Sequence, residues 1–365
     1  MFDRLPKVLG SVIEATLAPH PVDRYLELVD PMITWSDLRA RIVDIERRTP
    51  RTITLILTPT RQWTGFTAGQ YVQLSVVIDG VRQTRCFSPA NAEGGRGGRI
   101  ELTITSHDGG LVSRHLRENA RVGDVLGLTP AVGDFCMPTP RPARMLFVSG
   151  GSGVTPVLSM LRTLVAERHR GAVDFVHYAA TPNDVVYAAE VDDIARAHPE
   201  WNIRTVYTRR DGEIGHPRGH FVPAHLDELA PDHRSAEVFV CGPAGLMAAV
   251  TDYFTDLGRA EAVHSEAFTA PATFAPDPDQ PVSGELTFTG ARTTAANDGR
   301  TILEQAESAG LTPEFGCRMG ICFSCTAPKK SGCTRNVLTG ELDTDSDTHI
   351  QICVSAPVGD VEIDL

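Results

Sequence analysis

Five of the chain's eight cysteines fall between Cys317 and Cys353, and four of them carry the first chemical signal. Cys317, Cys322 and Cys325 form C-x4-C-x2-C, and Cys353 follows far downstream. Two irons need four thiolates. Three on one loop wrap the cluster and a fourth arrives from a distant strand, which is the spacing of a [2Fe–2S] site. Gly316 and Gly320 let such a loop turn tightly and aim N–H groups at the sulfurs. A structural zinc site prefers two short C-x2-C pairs, and only one is present. Four unrelated cysteines are the other alternative. Cys333 falls outside the spacing and reads as a spare thiol.

A second group of residues lies in Arg85-Cys86-Phe87-Ser88. The run resembles the R-x-Y-S flavin motif of the ferredoxin–NADP reductase family, with Phe87 where that family usually has Tyr. A flavin needs a cation near its phosphates, a flat ring against the isoalloxazine and a hydroxyl near N5, and the resemblance implies that Arg85, Phe87 and Ser88 supply these in turn. Stacking survives the change from Tyr and the phenolic hydrogen bond does not. Gly109, Gly110, Leu111, Val112 and Ser113 resemble the family's second flavin element. Glycines ahead of a helix leave N–H groups for a pyrophosphate, although a Gly pair alone is an ordinary turn. Gly69-Gln70-Tyr71 before the first motif, and Gly123-Asp124 and Pro130 after the second, add to the resemblance. A pyrophosphate site implies FAD rather than FMN.

The third group is Gly150-Gly151-Ser152-Gly153-Val154-Thr155-Pro156. It reads as strand, glycine loop and helix start, where dipole and unpaired N–H groups favour phosphates. The pattern is G-x-G-x-x-P rather than G-x-G-x-x-G. With Cys241-Gly242-Pro243 it resembles the same reductase family, in which that cysteine lies beside the nicotinamide. A small buried core residue is the plainer alternative for Cys241. Glu266-Ala267-Phe268 resembles the Glu-x-aromatic element that closes the flavin site, with Phe268 over the flavin; ordinary strand packing is the alternative. The resemblance assigns Ser88, Cys241 and Glu266 to the point of hydride transfer. It assigns Cys86 and Phe87 to the flavin, and Gly150, Gly151, Gly153, Thr155, Pro156, Gly242 and Pro243 to the nucleotide. Thr208-Arg209 matches a position that grips a 2′-phosphate through a charge-assisted bond. That match leads to an expectation of NADPH over NADH; two surface arginines before the Asp211-Gly212 turn are the alternative.

These residues need elements to hold them. Residues 1–39 read as an N-terminal extension, with Leu5, Val8, Leu9, Val12 and Ile13 at helical spacing before Pro19 and Pro21. It reads as a helix packed on the body or a docking element for a membrane-bound partner. Residues 40–140 alternate as short strands with Gly and Pro between them, which predicts an antiparallel flavin-binding β-barrel. Residues 141–268 alternate strand and helix, which predicts an α/β nucleotide domain with a doubly wound parallel sheet. Residues 269–282 hold four prolines and no periodicity, a linker. Residues 283–365 resemble plant-type ferredoxin, which implies an α+β β-grasp domain closed by a strand in Gly359–Leu365.

Net charge is −12, and 283–365 carry 12 Asp/Glu against 6 Lys/Arg. That argues against a nucleic-acid partner, which needs a basic face; it fits docking on a basic protein or plain solubility. No signal peptide or membrane span is evident, and metal-type cysteine usage fits a reducing cytoplasm. The domain order resembles oxygenase reductases with a C-terminal ferredoxin, such as phenylacetyl-CoA oxygenase reductases and reductase partners of acyl-CoA desaturases and alkane hydroxylases. It implies electron flow from NAD(P)H through FAD and [2Fe–2S] to a separate terminal oxygenase, hydroxylase or fatty-acid desaturase. The resemblance also implies a monomer, while the flexible tether and apolar N-terminal segment suit a membrane-bound acceptor that would bring it to the inner membrane face. A diaphorase or quinone reductase with a small acceptor, or a non-catalytic redox sensor, stays open.

Overall fold

The structure is a computed structural model that describes residues 22–95, 98–107, 110–209, 217–268, 282–316, 318, 320 and 323–365. The described residues fall into two compact units, the larger carrying the first two folds below and the smaller the third. Helical spacing over 5–13 and the linker up to residue 281 lie outside the described residues.

A short helix, α1 (Val22–Leu26), precedes the strands. The sequence reading missed it, because the prolines just ahead of it look like a stop although Pro also suits a helix start. Asp23, buried, accepts from the main-chain N–H groups of Trp35, Ser36 and Asp37. Eight strands follow: β1 (Arg39–Thr49), β2 (Thr52–Pro59), β3 (Gly65–Phe66), β4 (Val72–Ile78), β5 (Val81–Phe87), β6 (Gly94–Gly95), β7 (Ile100–Thr105) and β8 (Val125–Leu128). Six form one sheet in the order β5-β4-β8-β1-β2-β7, while β3 pairs with β6. Pro89 bridges Leu102, and the Ala90 N–H donates to Glu101 O at 2.8 Å. The chain after β5 thereby meets the far edge strand, β7, and closing a sheet removes its exposed edges. Ile42, Leu55, Leu57, Leu74 and Trp63 fill the interior, and α2 (Leu111–Asn119) packs Val112 and Leu116 against it.

The second fold is a parallel sheet of β9 (Arg144–Gly150), β10 (Ala172–Ala179), β11 (Asn202–Tyr207), β12 (Glu237–Cys241) and β13 (Val263–Glu266). Its order is β11-β10-β9-β12-β13, so the winding reverses between β9 and β12. Ligands of such sheets bind at that reversal, beyond the carboxyl ends of the strands. Helices α3 (Val154–Ala166), α4 (Ala188–Ala197), α5 (Pro223–Leu229) and α6 (Ala244–Asp256) connect the strands. Apolar residues on both sheet faces are buried, as a doubly wound sheet requires.

The third fold is a mixed sheet with one helix, α7 (Ile302–Ser308), started by a Thr301–Glu304 capping box. Its strands are β14 (Glu285–Phe288), β15 (Thr293–Ala296), β16 (Thr326–Asn336), β17 (Leu342–Asp343), β18 (Thr348–Gln351) and β19 (Ser355–Ile363). They run β15-β14-β19-β16-β17, with β18 also on β16. β19 is the closing strand that the C-terminal residues predict. Lys329 on β16 is fully buried and bonds the Asp343 carboxylate at 2.8 Å and its carbonyl at 2.7 Å.

Candidate functional site

The ends of the parallel strands carry the first site. In-register neighbours in a sheet point to the same face. Thr205, His177, Ser149, Cys241 and Glu266 form one such row across all five strands. His177 Nδ1 and Ser149 Oγ are 2.8 Å apart, and burial holds the imidazole down to about 4, so it is neutral. Ser88, which directly follows β5 of the barrel, donates to Glu266 Oε2 at 3.3 Å. Ser88 and Glu266 are both buried. The two carboxyl-end residues and the barrel hydroxyl therefore meet where the two folds join.

Burial sets the protonation of this group. It raises the Glu266 carboxyl to about 8, and the Ser88 bond draws it only part of the way back. It lifts the Cys241 thiol well above its ordinary value, and the Glu266 charge adds to that. Cys241 is thus a thiol, not a nucleophilic thiolate. Cys136 is raised to about 11 by the same two causes. Sequence reading passed over Cys136, since a single cysteine in a loop gives no spacing to read. It also passed over His177 and Ser149, which only strand register brings together.

Beside the row lies the glycine loop between β9 and α3. Gly151 has φ +53°, and a Cβ on Gly153 would lie 2.2 Å from Cys241 O and 2.7 Å from Gly242 N. The loop presses on the end of β12, and only glycine fits. Helix α3 then starts with no side-chain cap and no acidic residue in its first turn. Its first N–H groups suit a phosphate. Thr155 and Pro156 are buried in that turn. Helix α2 starts the same way at Gly110, uncapped and without an acid, with Leu111, Val112 and Ser113 in its first turn. Gly109 lies outside the described residues. Two uncapped helix starts and a glycine-only contact fit the phosphates of two dinucleotides.

Arg85, Cys86 and Phe87 end β5, and Phe87 is half-buried against the barrel core. Tyr71, buried, packs its ring where a Cβ on Gly133 would be 3.2 Å away. Thr208 and Arg209 continue β11 by bonding Ala179 O and Ala180 O, with the Arg209 side chain exposed. Pro243 precedes α6, and Phe268 follows β13, half-buried.

The second site lies in the third fold. Cys325 immediately precedes β16 and Cys353 lies between β18 and β19, both buried among Leu303, Ile352 and Val354. Cys317 and Cys322 lie outside the described residues. Around them the chain is tightly turned: Arg318, Gly320 and Phe323 have φ of 58°, 74° and 56°. A left-handed aromatic residue is uncommon and marks an over-determined loop. Two buried soft sulfurs flanking such a loop fit the donor set of an iron–sulfur cluster.

Comparison with known proteins finds three domain families along the chain. Residues 43–136 match the oxidoreductase FAD-binding domain, 147–252 the oxidoreductase NAD-binding domain, and 286–358 the 2Fe-2S iron-sulfur cluster binding domain. The chain is 32% identical over 376 residues to an NADPH oxidoreductase of Mycobacterium tuberculosis, covering 100% of this chain and 94% of that one. It is 30% identical over 322 residues to the glycine betaine monooxygenase reductase subunit of Chromohalobacter salexigens, covering 82% and 87%. The solved structure of phthalate dioxygenase reductase matches at a TM-score of 0.60 and 23% identity, over 90% of this chain and 98% of that one, a likeness of fold.

Proposed function

Because the chain belongs to the ferredoxin–NADP reductase family, in the branch with a C-terminal [2Fe–2S] ferredoxin domain, we propose that it takes a hydride from NADPH and delivers single electrons to a separate oxygenase. It is an NAD(P)H-dependent oxidoreductase with FAD and [2Fe–2S] as cofactors. When bound, FAD accepts a pair of electrons and returns them singly, and the cluster carries one at a time. The residues supply the rest. Ser88 and Cys241 border the place where nicotinamide and flavin meet, and Glu266 keeps a proton there at neutral pH. Gly150, Gly151, Gly153 and Thr155 hold the nucleotide phosphates, with Pro156, Gly242 and Pro243 shaping the loop. Arg85 and residues 109–113 hold the flavin phosphates, Cys86 and Phe87 flank its ring, and Phe268 covers its face. Cys317, Cys322, Cys325 and Cys353 hold the irons.

The observation that carries this reading is the 3.3 Å bond between Ser88 of the barrel and Glu266, whose sheet neighbour is Cys241. It joins the barrel hydroxyl to the sheet end that also carries the thiol. Arg209, exposed at the end of β11, supports NADPH; one relative is named an NADPH oxidoreductase. A monooxygenase reductase subunit among the relatives supports an oxygenase as acceptor. A membrane-bound desaturase or hydroxylase is the specific case, on the apolar N-terminal segment and proline-rich linker alone. No helix among the described residues is long and apolar enough to cross a membrane. We place the protein in the cytoplasm, as a monomer, at the membrane only through its acceptor.

Turnover with cytochrome c tests the proposal. The full chain reduces it with NADPH, and a chain ending at residue 268 keeps ferricyanide reduction but loses cytochrome c reduction. Equal cytochrome c turnover by both points to a small-molecule acceptor; no turnover with cofactors loaded points to a redox sensor.

A further inference from the structure

Helix α3 begins at the glycine loop, and one face of it reaches the barrel segment just after Ser88. Arg162 Nη1 donates to Ala90 O at 2.7 Å. Ser159 Oγ donates to Asn91 O at 2.7 Å. The Glu93 N–H donates to Thr163 Oγ1 at 2.9 Å. Ser159, Arg162 and Thr163 stand at i, i+3 and i+4, so they share a face. All three hold main-chain atoms, which fixes the backbone itself.

Arg162 is the hub. Its Nε and Nη2 fork onto the Glu190 carboxylate at 2.6 Å each, and Nη1 lies 3.1 Å from Glu101 of β7. Its guanidinium sits 5.1 Å from the centre of the Tyr187 ring. The Tyr187 hydroxyl donates to Glu101 at 2.8 Å and also bonds Thr103. A forked, half-stacked guanidinium has little freedom left. Packing nearby is close too: a Cβ on Gly69 of the barrel would lie 2.5 Å from the end of the Met160 side chain of α3.

Ser88 and the glycine loop sit on different folds, so neither sheet's own ladder sets the distance between them. We propose that the Ser159–Arg162–Thr163 face of α3 is the gauge that sets it, with Arg162 a positioning residue for hydride transfer. This rests on the reading of Ser88 and the glycine loop given above. The step concerned moves a hydride, two electrons with a proton, from reduced nicotinamide to flavin, leaving the nicotinamide oxidised and the flavin reduced.

The test uses the FAD-loaded full chain, anaerobically, in stopped flow with NADPH. Arg162→Met loses about tenfold to a hundredfold in the rate of flavin bleaching at saturating NADPH, the range expected for misplacement near 1 Å. The long-wavelength nicotinamide–flavin charge-transfer absorbance falls with it, while NADPH affinity holds. Glu190→Gln keeps the bonds of Arg162 to Ala90 and Glu101 and gives a smaller loss in the same direction. If Arg162→Met does not load FAD, Glu190→Gln decides alone. Wild-type rate and charge-transfer absorbance in whichever variant loads, even with a lower melting temperature, overturn the proposal. If the unsubstituted chain is reduced by neither NADPH nor NADH, the functional reading fails instead.

Discussion

Glu266 carries a proton at neutral pH because the groups around it, Ser88, Cys241 and Cys136, offer no positive charge to offset lost water. Its carboxyl shifts from 4.5 to about 8 on folding, so the unfolded chain ionises first. Stability from this group is full below pH 4.5 and is lost as pH rises to about 8. Glu266→Gln removes that loss. Urea unfolding of flavin-loaded protein at pH 5.5 and 7.5 then shows the variant gaining on the parent with pH, by up to about 2.7 kcal/mol over the two units. Arg209→Ala raises the KM for NADPH by about tenfold or more, one charged hydrogen bond's worth, and leaves NADH unchanged in steady-state assays. Cys325→Ser and Cys353→Ser abolish the reduced-cluster EPR signal, and Cys333→Ser keeps it. Cysteine spacing made the cluster legible because metal chemistry constrains both residue type and interval. Cys136 and His177 were illegible, since strand register and burial alone give them their surroundings.

The glycine loop between β9 and α3 was legible in the same way, from residue type and interval. Gly153 is not a flexible spacer; its missing Cβ is what lets the loop touch Cys241 O. Gly153→Ala therefore costs about 1–3 kcal/mol of stability by overpacking and weakens NADPH binding, both readable by thermal melts with and without nucleotide. Strand and helix periodicity placed β2, β7, β9 and α3 within a residue or two. Helix α1 was hidden behind prolines, and its tie to the barrel runs through Asp23, an acid with no motif around it. The α3 face was hidden for a different reason. Ser159, Arg162 and Thr163 look like an ordinary polar stripe, and their partners lie about 70 residues away.

At the scale of the whole molecule, the flavin fold precedes the nucleotide fold in the chain although electrons pass from nucleotide to flavin, and the cluster fold comes last in both orders. The barrel and nucleotide folds pack as one unit, which suits a hydride step that needs fixed geometry. The third fold forms its own core around Phe288, Ile302 and Ile363. Its excess of acid, 12 residues against 6, fits an acceptor with a basic docking face. The acceptor itself was not legible, because surface complementarity has no fixed spacing. The most direct measurement is an anaerobic titration of the loaded protein with NADPH, following flavin absorbance and the EPR signal of a reduced [2Fe–2S] cluster together. Both respond to NADPH, faster than to NADH. Flavin bleaching with no cluster signal, when a chemical reductant does reveal one, would contradict the internal relay.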